Sequence, residues 1–172
     1  GMCPLAEILL AKGYEITGSD IAEGDTLERI RNYGIKVYMG QNAENIEDAK
    51  PDVLCYTAAI KDDNPELVAA REMGIPTLER SEMLGIVVSH YKKSVAISGT
   101  HGKTSTTGLL SHVMKNITDT SYLIGDGTGR GSANAQYFVF ESDEYERHFM
   151  PYHPAYSIIT NIDFDHPDYF TS

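Results

Sequence analysis

The run Ser98-Gly99-Thr100-His101-Gly102-Lys103-Thr104 has the residue types and spacing to hold a phosphate chain. An apolar strand pattern, Ser94 to Ile97, leads into it, and a helical pattern, Thr104 to Ile117, follows. At such a strand-to-helix turn, glycines let backbone N–H groups curl around phosphate oxygens. The helix N-terminus adds the positive end of its dipole. Lys103 reaches the outer phosphates of a nucleoside triphosphate, and the Thr104 hydroxyl binds Mg²⁺. Gly99, Thr100, His101, Gly102, Lys103, Thr104 and Ser105 are the expected nucleotide-contacting residues. The loop is shorter than the general pattern: its first glycine is Gly99, and Ile97 stands where four intervening residues would require glycine. The bland alternative is a chance Gly-Lys-Thr at a helix start.

Two further positions draw notice because each follows an apolar strand pattern. Glu141 comes after Tyr137 to Phe140, and His166 after Ser157 to Thr160. Ligands of open parallel sheets bind beyond the carboxyl ends of the strands. A carboxylate there can serve a hard cation such as Mg²⁺, although a strand-end glutamate is more often simply solvated. Imidazole is an uncommon ligand for Mg²⁺, so His166 taken alone is a structural histidine, as are His90, His112 and His153. The acid of this half is opposed by Arg130 and Arg147 alone from Asp119 onward. That marks either a solvated face or groups that manage divalent cations.

Composition narrows the field. The 172 residues carry a formal net charge of −11, which argues against nucleic acid as a partner. A hydrophobic content of 41% allows a buried core. Cys3 and Cys55 lack metal-ligand spacing and read as free thiols in a reducing compartment. No run reaches the length of a membrane span, and no basic leader precedes Leu10. A cytoplasmic protein is expected.

The elements that must position these groups alternate between strand and helix, which predicts α/β architecture with parallel sheets covered by helices. In residues 1–91 the expected strands are Tyr14 to Thr17, Ile35 to Tyr38 and Val53 to Tyr56, the last of them buried. Helices are expected at Thr26 to Tyr33, from Pro65 to Met73 behind an Asn64 cap, and after a Ser81 cap. In residues 92–172 the helix after the phosphate loop shows Leu109, Leu110, Val113, Met114 and Ile117 on one side. A glycine-rich loop runs from Gly125 to Gly131.

Taken in order, four stretches resemble the muramyl ligase family of cell-wall synthesis. They are Gly99-Thr100-His101-Gly102-Lys103-Thr104, Phe140-Glu141-Ser142-Asp143-Glu144, Thr160-Asn161-Ile162-Asp163-Phe164-Asp165-His166, and Thr57-Ala58-Ala59-Ile60 with Asn64-Pro65. The last of these, with His101, resembles the alanine-adding branch. Glu144-Tyr145, Arg147-His148-Phe149 and the run from Asp165 to Phe170 resemble its Gram-positive version.

The resemblance implies a Rossmann-like UDP-sugar-binding domain at residues 1–91, lacking its first strand. Part of a central P-loop ATP-binding domain follows at residues 92–172. It implies ATP and Mg²⁺ as cofactors, and UDP-N-acetylmuramate and L-alanine as substrates joined through an acyl phosphate. Lys103 and His166 become the catalytic residues, Thr104 and Glu141 ligands of the ATP magnesium, and His166 a ligand of a second magnesium. Arg147 and His148 become substrate-side candidates. Gly1, Ser19, Asp20, Thr57 and Arg80 become candidate substrate contacts.

Several alternatives stay open at this level. Gly1 either ends the family's glycine turn or is a residue appended before a starting Met2. Asp20 either meets a sugar hydroxyl or caps a loop. Arg80 either approaches a phosphate or pairs with Glu79 or Glu82. The family pattern also implies missing central strands and a missing third domain, so the chain is expected not to turn over by itself. The competing functions are a ligase that reattaches a recycled peptide to the same sugar, and a nucleotide-binding piece without catalysis. An NAD-dependent oxidoreductase is disfavoured by the absent Gly-x-Gly-x-x-Gly.

Overall fold

A computed structural model of the chain describes residues 2–142 and 150–163. It is an α/β chain with parallel sheets, divided into two compact units. One unit comprises Cys3–Tyr14 and the chain from Leu84 onward; the other comprises Glu15–Met83.

The first unit contains α1 (Met2–Ala11). The other unit opens with β1 (Thr17–Asp20), α2 (Asp25–Asn32) and β2 (Lys36–Met39). It continues through α3 (Ala43–Ala49), β3 (Leu54–Tyr56), α4 (Pro65–Glu72) and β4 (Thr77–Glu79). β1 pairs with β2 and β3 with β4, both parallel, because an intervening helix returns the chain to the same end of each pair. The described strands form two such pairs instead of one continuous ladder.

The first of these strands differs from its expected place. Tyr14 donates its N–H back to Leu9 at 3.2 Å and so finishes the turn after α1. The ladder begins at Thr17 and runs through Gly18-Ser19-Asp20. Val53, expected within a buried strand, lies outside β3 and is exposed. The local core is small, with Ile46, Ala69 and Ala70 packing against Leu54 and Ile75. At α4 the Asn64 side chain accepts from the N–H groups of Glu66 and Leu67, and Pro65 takes the first helical position, as the sequence predicts.

The next helix, α5 (Arg80–Ser89), starts one residue before Ser81. Ser81 is buried inside it, and Glu82 does the capping by accepting the Glu79 N–H at 2.8 Å.

The unit that holds the phosphate loop adds β5 (Lys93–Ser98), α6 (Lys103–Ile117), β6 (Thr120–Leu123) and β7 (Gly129–Arg130). After these come β8 (Tyr137–Glu141) and β9 (Tyr156–Ile159). The strand order is β7-β6-β8-β5-β9, parallel throughout except for β7 on β6. Phe138, Val139 and Phe140 are fully buried, and each such side chain contributes about 1.5–3 kcal/mol. Tyr91, Phe138, Phe140 and Tyr152 form a continuous aromatic row with centroid spacings of 4.9, 5.2 and 5.4 Å. Leu5 and Ile8 of α1 are also fully buried in this unit. The glycine-rich loop belongs here, since any side chain at Gly129 or Gly131 would run into Pro4, Ile8 or Ala11 of α1.

The apolar side expected of α6 is covered in part, with Leu110 and Met114 half-buried. Leu109 is 68% exposed and Ile117 74%, with Val113 also exposed. The face against the sheet carries Thr107 and Ser111, both buried. The Thr107 hydroxyl is satisfied within the helix by donating to the Lys103 carbonyl at 2.8 Å.

Candidate functional site

Strand register builds the site in the five-stranded sheet. β5 lies between β8 and β9, and both neighbours run parallel to it. Ile97 is in register with Glu141, and Ser98 with Ile159. The ends of three adjacent strands therefore reach one carboxyl edge, where the loop from Gly99 to Gly102 leaves for α6. Ser142 closes the junction by donating its N–H to the Ile97 carbonyl at 2.9 Å.

Two glycines set the loop's path. Gly99 has φ of +131° and Gly102 +82°, values that side-chain-bearing residues rarely adopt. Gly102 is the N-cap of α6. The N–H groups just after it have no carbonyl of their own helix to meet and are available to an anion. The Lys103 side chain folds back over the loop, donating to the Gly99 carbonyl at 2.6 Å and the Thr100 carbonyl at 3.5 Å. Thr104 and Ser105 are exposed at the start of the helix.

Glu141 ends β8 at the same edge. Its Oε1 is buried and has no hydrogen-bond partner. The carboxylate lies directly against Gly125, where any Cβ would overlap it. An oxygen of this kind costs free energy unless something meets it. A cation is the partner that suits an ionised carboxylate. Among the described residues, no group of three or more His, Cys, Asp or Glu side chains could hold a metal ion unaided. A cation bound to Glu141 and Thr104 would take its other ligands from phosphate oxygens and water, the usual arrangement for Mg²⁺.

The segment after β9 joins the loop through contacts that no single motif announces. Thr160 and Asn161 bond to the main chain of Ser98 and His101, and Thr100 bonds to the main chain of Asp163. Their signal in the sequence is their place at the head of the stretch ending in His166. Gly125 beside Glu141 carries no signal beyond membership of a glycine-rich loop.

The described candidate substrate residues, Ser19, Asp20, Thr57 and Arg80, lie in the other unit. Ser19 and Asp20 end β1; Ser19 Oγ donates to Glu66 Oε2 at 2.6 Å, and Asp20 Oδ1 accepts the Ala22 N–H at 3.1 Å. Asn45 donates to the other Glu66 oxygen at 2.7 Å, so this buried carboxylate ties the end of β1 to α3. Tyr56 is in register with Glu79, so Thr57 and Arg80 leave neighbouring parallel strands side by side. Gly1, Arg147, His148, Asp165 and His166 lie outside the described residues.

Residues 1–92 match the Mur ligase family, catalytic domain. That match stops short of the phosphate loop, but similarity to individual proteins does not. The UDP-N-acetylmuramate–L-alanine ligase of Streptococcus thermophilus is 56% identical over 173 residues, covering 100% of this chain and 38% of that protein. The ligase of the same name from Streptococcus pyogenes is also 56% identical, with 99% and 38% covered. The chain thus spans well under half the length of these curated relatives. Among solved structures, the UDP-N-acetylmuramate-alanine ligase MurC of Thermotoga maritima superposes with a TM-score of 0.85 at 32% identity, covering 97% of this chain and 40% of that one. The UDP-N-acetylmuramate:L-alanyl-gamma-D-glutamyl-meso-diaminopimelate ligase of Neisseria meningitides gives 0.86 at 28% identity, covering 98% and 59%. With a family match over more than half its length, the chain belongs to the Mur ligase family.

Proposed function

We propose that this chain carries the ATP-phosphate and UDP-sugar portions of a cytoplasmic ligase that joins L-alanine to UDP-N-acetylmuramate. The observation that carries the reading is the shared carboxyl edge of β5 and β8. It offers the loop glycines, Lys103 and the unpartnered Glu141 oxygen to one triphosphate. The 56% identity to streptococcal ligases of that name supports alanine as the amino acid. In this reading residues 1–91 face the UDP-sugar and residues 92–172 the ATP. This functional division differs from the compact units, because α1 packs with the phosphate loop's unit.

Within the reaction, ATP gives its γ-phosphoryl group to the lactyl carboxylate, leaving ADP and an acyl phosphate. The alanine amine attacks the acyl carbon, loses a proton, and phosphate departs. The chain's part is positioning and charge neutralisation. Lys103 exchanges the carbonyls of Gly99 and Thr100 for phosphate oxygens, and the N–H groups opening α6 hold the β-phosphate. Glu141 and the Thr104 hydroxyl would hold Mg²⁺, which supplies positive charge against the phosphate oxygens. His166 is proposed as the ligand of a second ion, on the family resemblance alone. Ser19, Asp20, Thr57 and Arg80 are the proposed contacts of the UDP-sugar.

A second reading, attachment of a recycled peptide to the same sugar, draws support from the fold likeness to the Neisseria protein. One assay separates the two. The full-length ligase containing this chain is given UDP-N-acetylmuramate, MgATP and either L-alanine or the tripeptide. Phosphate release that needs L-alanine, and disappears in Lys103→Ala, supports the first reading. Release with the tripeptide alone supports the second.

A further inference from the structure

We propose that Thr160 and Asn161 are positioning residues for the phosphate loop: they hold the His101 peptide fixed, so that the donors at the start of α6 face the phosphates. The inference rests on the reading of residues 99–104 as a triphosphate cradle.

Every polar main-chain group of His101 is engaged by these two side chains. Its N–H donates to Asn161 Oδ1 at 3.0 Å. Its carbonyl accepts from Asn161 Nδ2 at 3.0 Å and from Thr160 Oγ1 at 2.6 Å. The amide orientation of Asn161 is decided by this pattern, since turning it over would set N–H against N–H and oxygen against oxygen. Thr160 has one hydroxyl hydrogen and two acceptors in reach; the Ser98 carbonyl, at 3.2 Å, is the more distant. One residue earlier in the loop, the Thr100 hydroxyl donates to the Asp163 carbonyl and accepts the Asp163 N–H, each at 3.0 Å.

Two consequences follow. First, the His101 N–H is committed to Asn161 and is not a phosphate donor. The cradle is left to Gly102, Lys103 and Thr104, whose N–H groups open α6. Second, Gly99 and Gly102 give the loop wide conformational freedom, and binding must overcome the entropy of ordering it. Fixing the peptide between those glycines removes part of that cost before the ligand arrives. The close seating of Thr160 and Asn161 on Gly99, where no Cβ fits, shows how tightly the clamp closes.

The test uses the 172-residue chain, with inorganic tripolyphosphate and Mg²⁺ as the probe and calorimetry as the readout. Lys103→Ala serves as the control for the cradle itself. Thr160→Val keeps the shape and removes the hydroxyl, while Asn161→Ala removes both amide bonds. Each is expected to weaken binding about tenfold, and Thr160→Ser, which restores the hydroxyl, recovers it to within about threefold. In the unliganded chain, the His101 amide is expected to exchange with solvent about tenfold more slowly than a free peptide, and to lose that protection in Asn161→Ala. Binding unchanged in both variants, or an unprotected His101 amide, overturns the clamp while leaving the cradle standing. If the chain binds tripolyphosphate no better than Lys103→Ala does, the cradle reading falls, and the clamp with it.

Discussion

Replacing Gly99 by alanine tests the loop geometry most severely. The backbone there has φ of +131°, and holding a non-glycine residue in such a region costs about 1–3 kcal/mol. The new Cβ would overlap Thr160 Oγ1 and lie 2.9 Å from the Asn161 carbonyl oxygen and 3.1 Å from its nitrogen. Two of those atoms are backbone, so relief requires the segment after β9 to withdraw. Withdrawal breaks the Thr160 and Asn161 bonds to His101, three bonds at about 1 kcal/mol each. The sum is about 4–6 kcal/mol, a large share of a small domain's stability. Gly102→Ala is the matched comparison: φ is +82°, but nothing lies within 4 Å of the added Cβ, so only strain of about 1–2 kcal/mol applies. Urea unfolding followed by far-UV circular dichroism reads both variants. Gly99→Ala is expected to be the less stable by at least about 2 kcal/mol, or to lose His101 amide protection without global unfolding. Equal stability, with His101 protection intact in both, would refute the argument.

Lys103→Ala should leave the fold intact and weaken MgATP binding by about 1.5–3 kcal/mol, the worth of a charged hydrogen bond, measured by calorimetry. Glu141→Gln should weaken binding of MgATP but not of metal-free ATP, because it removes a charge that attracts the cation and repels the triphosphate. Asn64→Ala removes the cap of α4 and should cost about 1 kcal/mol, seen as a lower thermal midpoint. Burial pushes the Cys55 thiol up to about 11. Its alkylation at pH 8 should be far slower in the folded chain than in urea. Since the folded thiol holds its proton more tightly than the unfolded one, the associated stability is complete below about pH 8.5 and is lost as pH rises towards 11.

What could be read from the sequence follows a physical pattern. β5, β8 and α4 were legible because apolar runs and a side-chain cap are local signals: Ile97, Phe138 and Phe140 are buried, and Asn64 caps as expected. β6 was not, because Thr120 and Ser121 are fully buried yet polar, so its sequence has no hydrophobic run. The buried side of α6 misled for a related reason. Polar Thr107 and Ser111 are buried against the sheet, Thr107 with its hydroxyl bonded to the Lys103 carbonyl, while Leu109 and Ile117 face outward. β1 was displaced because its ladder runs through Gly18-Ser19-Asp20, residues that ordinarily mark a turn. At the candidate site, the loop glycines and Lys103 were legible from spacing. The clamp from Thr160 and Asn161 was not, since it joins residues some sixty positions apart and depends on β9 lying beside β5.

The central claim is that residues 99–104 receive the phosphates of ATP, with Glu141 beside them. Titrating MgATP into the isotopically labelled chain, while following backbone amide resonances, tests it directly. The account predicts the largest saturable shifts at Gly102, Lys103 and Thr104, with accompanying changes at Gly125 and Glu141 that require Mg²⁺, and loss of the whole set in Lys103→Ala. Saturable shifts confined to other parts of the chain, or shifts at residues 102–104 that persist unchanged in Lys103→Ala, would contradict it.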